Sequence, residues 1–268
     1  MLLGSFFLAF FPVWKSLIET WLGSEEYSHG FFIVPLCAYI IWREKGALAQ
    51  VPMRPSNWGL GLAMFSLLLY LFAYLAEIAT LASLSMVLFL CSAVVYFLGF
   101  QIVRKLSFPI FLLLFMIPVP AQVYAELTVP LQLFVSKVSV SFAAVTGIPV
   151  FREGNVINLP DRTLQVVQAC SGLRSMISLL TLSAVFGYLT LKSNSFRTLL
   201  FIAGVPVSVL VNVVRVIVLI FVSYYFGYDL TTGSVHTVFG LVIFALALLL
   251  LAALRGIFSI WDKSAKQE

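Results

Sequence analysis

Residues 165–176 read QVVQACSGLRSM and set a thiol at the mouth of an apolar run. Cys170 is followed by Ser171 and Gly172, where a helix is expected to begin. A thiol at a helix N-terminus sits near the positive end of the dipole and near free backbone N–H groups. Those surroundings favour the thiolate, the nucleophilic form, and the same N–H groups can hold an oxyanion. An isolated cysteine can equally be a small apolar filler, the reading that fits Cys37 and Cys91 inside their spans. The polar collar of Gln165, Gln168 and Ser171 sets Cys170 apart.

Arg215 lies in PVSVLVNVVRVIVLIF, ten residues before Tyr225. At about 1.5 Å per residue it is roughly 15 Å from that end of its span, where an arginine costs about 2.5–3.5 kcal/mol to insert. Asn212, three residues earlier, shares its helical face. No carboxylate occurs in the last three apolar runs, so they offer Arg215 no ion pair. Arg174 is the rival cation, one turn after Cys170, and can pair with Glu126 or bind a lipid phosphate. His236, in GSVHTVFG, and His29, in EEYSHGFF, both open spans at the outer interface. Either could act as a base, and either could be a snorkelling polar residue. If their spans converge, nucleophile, base and electrostatic clamp make an acyl-transfer set.

The elements that must position these residues are apolar. Of 268 residues, 62% are hydrophobic and only 10% charged, with a mean hydropathy of +1.07. A soluble domain carries about 25% charged residues, so the chain reads as a polytopic membrane protein. The net charge of +5 comes from short basic clusters between apolar runs, a topology signal that argues against nucleic acid as a partner. Three cysteines without a CxxC or a His/Cys cluster suggest neither disulfides nor a metal. The start MLLGSFFLAFFPVW lacks a basic segment and a cleavage site, so it is expected to stay as a span.

Spans need about 20 apolar residues, fewer when flanking side chains snorkel. Eight candidates emerge, at roughly 2–18, 28–42, 58–76, 82–100, 104–119, 172–190, 198–225 and 235–254. Arg43, Lys45, Arg54, Arg104, Lys105, Lys192, Arg197, Arg255, Lys263 and Lys266 then fall on one side, predicted to be cytoplasmic, together with both termini. Residues 121–146 are moderately apolar, carry Glu126, Gln132, Lys137 and Pro130, and are expected to form an interfacial or broken helix. Gly154-Asn155 and Pro160-Asp161 then punctuate three β-prone runs, a small extracytoplasmic hairpin or three-stranded flap leading to Cys170. The expected fold is thus all-α and polytopic, a single domain over 1–268 with an outer insert at about 120–170.

On these motifs the chain resembles the exosortase/archaeosortase family. NVINLPDRTLQVVQACSGLRSM is similar to its nucleophile segment, AGVPVSVLVNVVRV to its arginine-bearing span and GSVHTVFG to its histidine motif. YSHGFFIVPLCAYIIW and MIPVPAQVYAELTVPLQ resemble its early span and its middle segment, and ACSG-L-R favours the bacterial side. The resemblance implies a cysteine transpeptidase, sortase-like in chemistry, with Cys170 as nucleophile, Arg215 as the arginine and His236 as the histidine. Arg174, Asn212, Ser171 and His29 are expected to bind substrate or support the site. It implies as partners exported proteins ending in a motif such as Pro-Glu-Pro, a transmembrane helix and a basic tail, with membrane lipid around them. A cell-surface amine or hydroxyl, or water, takes the acyl group. No cofactor is implied, and the site faces outward from the inner membrane of a bacterium. The alternatives are a small transporter or lipid-handling protein that binds an anion at Arg215, and a structural membrane subunit.

Orientation can be checked directly. In a background lacking the three native cysteines, single cysteines at Asn155 or Asp161 are expected to react with an impermeant thiol reagent from outside. Cysteines at Ser193 or Ser264 are not, and the reverse pattern would overturn the orientation.

Overall fold

Lipid offers no water to backbone N–H and C=O groups, so an apolar chain must satisfy them internally, mostly within helices. The computed structural model of the chain describes residues 2–24, 27–165, 173–228 and 233–264. The side chains of residues 2, 3, 165, 173, 174, 233, 234, 236, 263 and 264 lie outside that description. Five described helices are long and apolar enough to cross a bilayer: Trp58–Leu75, Ala79–Leu98, Ala121–Val145, Asn194–Phe226 and Thr237–Asp262. Gly30–Arg43 and Ser175–Thr190 are shorter apolar helices. The chain is therefore a multi-pass, all-α membrane protein with one small sheet, and the expected eight spans are not met by eight long helices. Its outward side chains suit lipid: Leu8 is 78% exposed and Phe32 75%.

The backbone gathers into two compact units, Met1–Pro120 and Ala121–Glu268. The first holds α1 (Leu2–Ala9), α2 (Phe11–Gly23), α3 (Gly30–Arg43), α4 (Lys45–Ala49), α5 (Trp58–Leu75), α6 (Ala79–Leu98), α7 (Phe100–Lys105) and α8 (Ser107–Leu114). Two expected spans are in pieces here, and proline is the cause. Pro12 lacks the N–H that would close onto Leu8, and residues 2–18 divide at Phe10. Pro109 likewise cannot close onto Lys105, and residues 104–119 divide at Leu106.

The last carbonyls of a helix have no partner within it. Those of Leu112, Leu113 and Leu114 accept the next backbone N–H groups, and the carbonyls that follow α8 find side chains. His29 Nε2 donates to Phe115 O at 3.1 Å, Trp21 Nε1 to Met116 O at 3.1 Å, Thr80 Oγ1 to Pro118 O at 2.9 Å, and Tyr27 Oη to Val119 O at 3.4 Å. The YSHGFF and MIPVP stretches, far apart in sequence, therefore meet. Gly30 lacks a side chain because a β-carbon there would overlap the Trp21 indole.

The second unit begins with α9 (Ala121–Val145), a single continuous helix where an interfacial or broken one was expected. The polar residues misled, because they face inward. Thr128, Gln132, Ser136 and Ser139 recur every three or four residues and are all buried, while Leu127, Phe134 and Phe142 point out. In lipid that inversion supports one continuous helix, even with Pro130 inside it. The strands β1 (Phe151–Glu153), β2 (Val156–Leu159) and β3 (Arg162–Gln165) follow as an antiparallel meander, as the turn residues predict. Gly154 occupies the left-handed region at φ 64° in the first turn. That turn is tied to the polar stripe of α9 by Ser136 Oγ donating to Gly154 O and Asn155 Nδ2 to Gln132 Oε1. Ile157 and Leu164 pair across the sheet and bury with Leu159 against Val135, Ala143, Val216 and Ile220.

Three further helices are described in the unit: α10 (Leu173–Thr190), α11 (Asn194–Phe226) and α12 (Gly233–Ser264). Small residues let α10 approach α11, since a β-carbon at Gly204 would lie 3.0 Å from Ser183 Oγ. Asp262, near the end of α12 and only 7% exposed, accepts hydrogen bonds from Lys192 N at 2.7 Å and Ser193 N at 3.0 Å. These N–H groups precede the first turn of α11, where an anion also meets the positive end of the dipole. One carboxylate thus joins the α10–α11 turn to α12.

Hydrogen bonds to a charged acceptor contribute about 1.5–3 kcal/mol each. Asp262→Ala is therefore expected to lower the thermal unfolding midpoint of the detergent-purified protein by about 5 °C or more. Asp262→Asn, which keeps one acceptor oxygen, should fall between, and an unchanged midpoint for the alanine variant would refute the joint.

Candidate active site

Helix geometry places Ser208, Asn212 and Arg215 on one face of α11, at i, i+4 and i+7. That face lines a cavity of about 30 Å³, closed on one side by Ser175 and Leu179 of α10 and on the other by Gly240 of α12. Asn212 is 4% exposed, Ser208 is buried and Arg215 is half-buried. A β-carbon built at Gly240 would lie 4.0 Å from Arg215 Nη2, so the guanidinium rests against α12 where no side chain intervenes. Ser208 Oγ donates to Val205 O at 2.7 Å and keeps its lone pairs for the cavity. Asn212 Nδ2 is buried with no hydrogen-bond partner among the described residues.

The rotation of α11 that aims this face is fixed from a neighbouring face. Val213, Val216 and Ile220 pack into the cluster formed by α9 and the sheet. Ser139 Oγ of α9 donates to Val213 O at 3.3 Å, between Asn212 and Arg215 in the chain. The sheet that leads toward the Cys170 segment is therefore packed on the helix that carries Arg215.

Of the other residues singled out by sequence, Cys170 and Ser171 lie outside the described residues. Arg174 falls in the first turn of α10 and His236 in the first turn of α12, one turn before Gly240, with both side chains outside the description. Glu126 is exposed on α9. His29 belongs to the first unit; because a carbonyl can only accept, its bond to Phe115 O fixes the proton on Nε2. Cys37 Sγ is buried and donates to Pro109 O at 3.4 Å, and Cys91 sits half-buried in α6. Ser175, Ser208 and Gly240 were not recognised in the sequence. The Ser208-Asn212-Arg215 stripe was findable from its spacing, whereas Ser175 and Gly240 carry no signal without their neighbours.

Along the seam of α10 and α12 the lining then changes character. Leu182, Phe186, Leu189, Leu248 and Leu251 border an apolar groove of about 340 Å³, next to the polar cavity along both helices.

Among known protein families, the one described as Transmembrane exosortase matches residues 21–253, a range that runs through both compact units. No curated protein and no solved structure matches the chain.

Proposed function

The chain belongs to the transmembrane exosortase family, and from that premise we propose that it is a membrane-embedded cysteine transpeptidase. Its substrates are exported proteins with a C-terminal sorting signal, cleaved at the outer face of the cytoplasmic membrane. The observation that carries this reading is the cavity that sets Arg215, Asn212, Ser208 and Ser175 together, bounded by α10 and α12. Leu173, the first residue of α10, is three peptide units after Cys170, and His236 is in the first turn of α12. Three extended units reach at most about 11 Å, so the nucleophile is tethered to the same end of the helix group.

In the proposed reaction the apolar helix of the substrate enters laterally, and the groove between α10 and α12 offers it an apolar seam. The Cys170 thiolate attacks the scissile carbonyl carbon, forming the S–C bond while charge builds on the oxygen. Arg215 stabilises that charge with a fixed fork of N–H donors. The C–N bond then breaks, its electron pair leaves with nitrogen, and His236 supplies the proton. The thioester passes its acyl group to an amine or hydroxyl at the cell surface, or to water. Ser171 and Arg174 adjoin the nucleophile in sequence, and both termini are cytoplasmic by the distribution of Lys and Arg. A transporter that binds an anion at Arg215 should line a polar path along the seam. The apolar groove beyond the cavity disfavours it.

Cys170→Ala is expected to abolish processing at normal expression, while Cys37→Ala and Cys91→Ala process normally. Mass spectrometry should find a thioester adduct on Cys170 of the wild type. Processing by the Cys170→Ala variant would sink the enzyme reading.

Lysine presents no planar fork, and losing an oxyanion donor costs about 10²–10³ in rate. Arg215→Lys should therefore be nearly inactive though inserted, whereas Arg174→Lys should lose at most severalfold. The measurement is the ratio of cleaved to uncleaved substrate at matched abundance. The opposite outcome would move the catalytic role to Arg174.

A further inference from the structure

Asn212 poses a question that the roles of Cys170, Arg215 and His236 do not answer. A primary amide 4% exposed inside a helix group, with Nδ2 unpartnered among the described residues, presents a donor to the cavity that the protein itself leaves open. Leaving such a donor unmade costs about 1–3 kcal/mol. Valine or leucine, abundant on either side of it in VSVLVNVVRV, would fill the position without that cost. Its amide lines the same cavity as Arg215, one turn away on the same face. The cavity of about 30 Å³ has room for an oxygen atom and its nearest substituents, not for an organic cofactor. Ser208 and Ser175 complete its polar lining.

We propose that Asn212 is a further catalytic residue: its amide donates to the carbonyl oxygen of the scissile bond as that oxygen turns anionic. The proposal rests on the transpeptidase reading and adds to it a second donor, neutral where Arg215 is charged. During attack by Cys170 the carbonyl π pair moves onto oxygen, and Asn212 and Arg215 share the charge. When the C–N bond breaks the carbonyl reforms, and Asn212 neither gains nor loses a proton. A desolvated amide already aimed at the oxygen requires no reorganisation as the charge develops, which is the basis of oxyanion stabilisation.

The test compares two reactions of Cys170 in full-length protein in native membranes. One is acylation by the cell's own exported proteins, followed by mass spectrometry of the Cys170 thioester. The other is alkylation by iodoacetamide, which needs the thiolate but builds no oxyanion. Asn212→Ala removes the amide, and Asn212→Asp keeps its shape while replacing the donor with an acceptor. Both variants are expected to acylate about 10²–10³ more slowly, with alkylation rates within about twofold of wild type, which also reports an intact fold. Wild-type acylation in either variant would overturn the proposal. So would a parallel loss of alkylation, because Asn212 would then act on the thiol. A wild-type protein that never acquires a thioester would remove the transpeptidase reading and this inference with it. Acylated wild type with equally acylated variants would remove this inference alone.

Discussion

A guanidinium carried on an apolar helix must be given polar company, and the second compact unit is arranged around that need. Insertion of one arginine costs about 2.5–3.5 kcal/mol, and the apolar runs of α10, α11 and α12 carry no carboxylate. What Arg215 has is an amide one turn back, two serines and the bare backbone of Gly240.

That arrangement requires α11 to hold one rotation. Its cavity face stays aimed because a neighbouring face is committed to α9 and the sheet through Val213, Val216 and Ile220, with a hydrogen bond from Ser139 to Val213 O. At the opposite end of the unit, Asp262 ties α12 to the turn between α10 and α11. The three helices are thus joined at one end and carry the polar cavity toward the other. Rigid packing at both places suits the proposed site, whose donors are to be in position before charge develops.

In both units polar side chains find partners inside, while many large apolar ones face outward. In α9 the buried stripe of Thr128, Gln132, Ser136 and Ser139 receives the turn of the sheet. In the first unit, His29, Trp21, Thr80 and Tyr27 close the open carbonyls after α8. The cost of an unpaired backbone group in lipid explains both, because neither water nor lipid can take the place of the missing partner.

The sequence by itself determined the class of the molecule. Apolar runs too long and too uncharged for water require membrane helices, and Gly154-Asn155 and Pro160-Asp161 mark the turns of the meander. The Asn212–Arg215 face was legible because helical spacing is a local property. Only the tertiary structure decided what depends on neighbours. Residues 121–146 read as interfacial because their polar content is visible in sequence while its inward direction is not. The spans at 2–18 and 104–119 read as continuous because hydropathy averages over Pro12 and Pro109, whose missing N–H groups divide the helices. Only folding brings Phe115 O beside His29 to accept its Nε2–H. Ser175 and Gly240 are ordinary residues until two other helices bring them to Arg215, since a cavity belongs to the space between elements and to no single stretch of sequence.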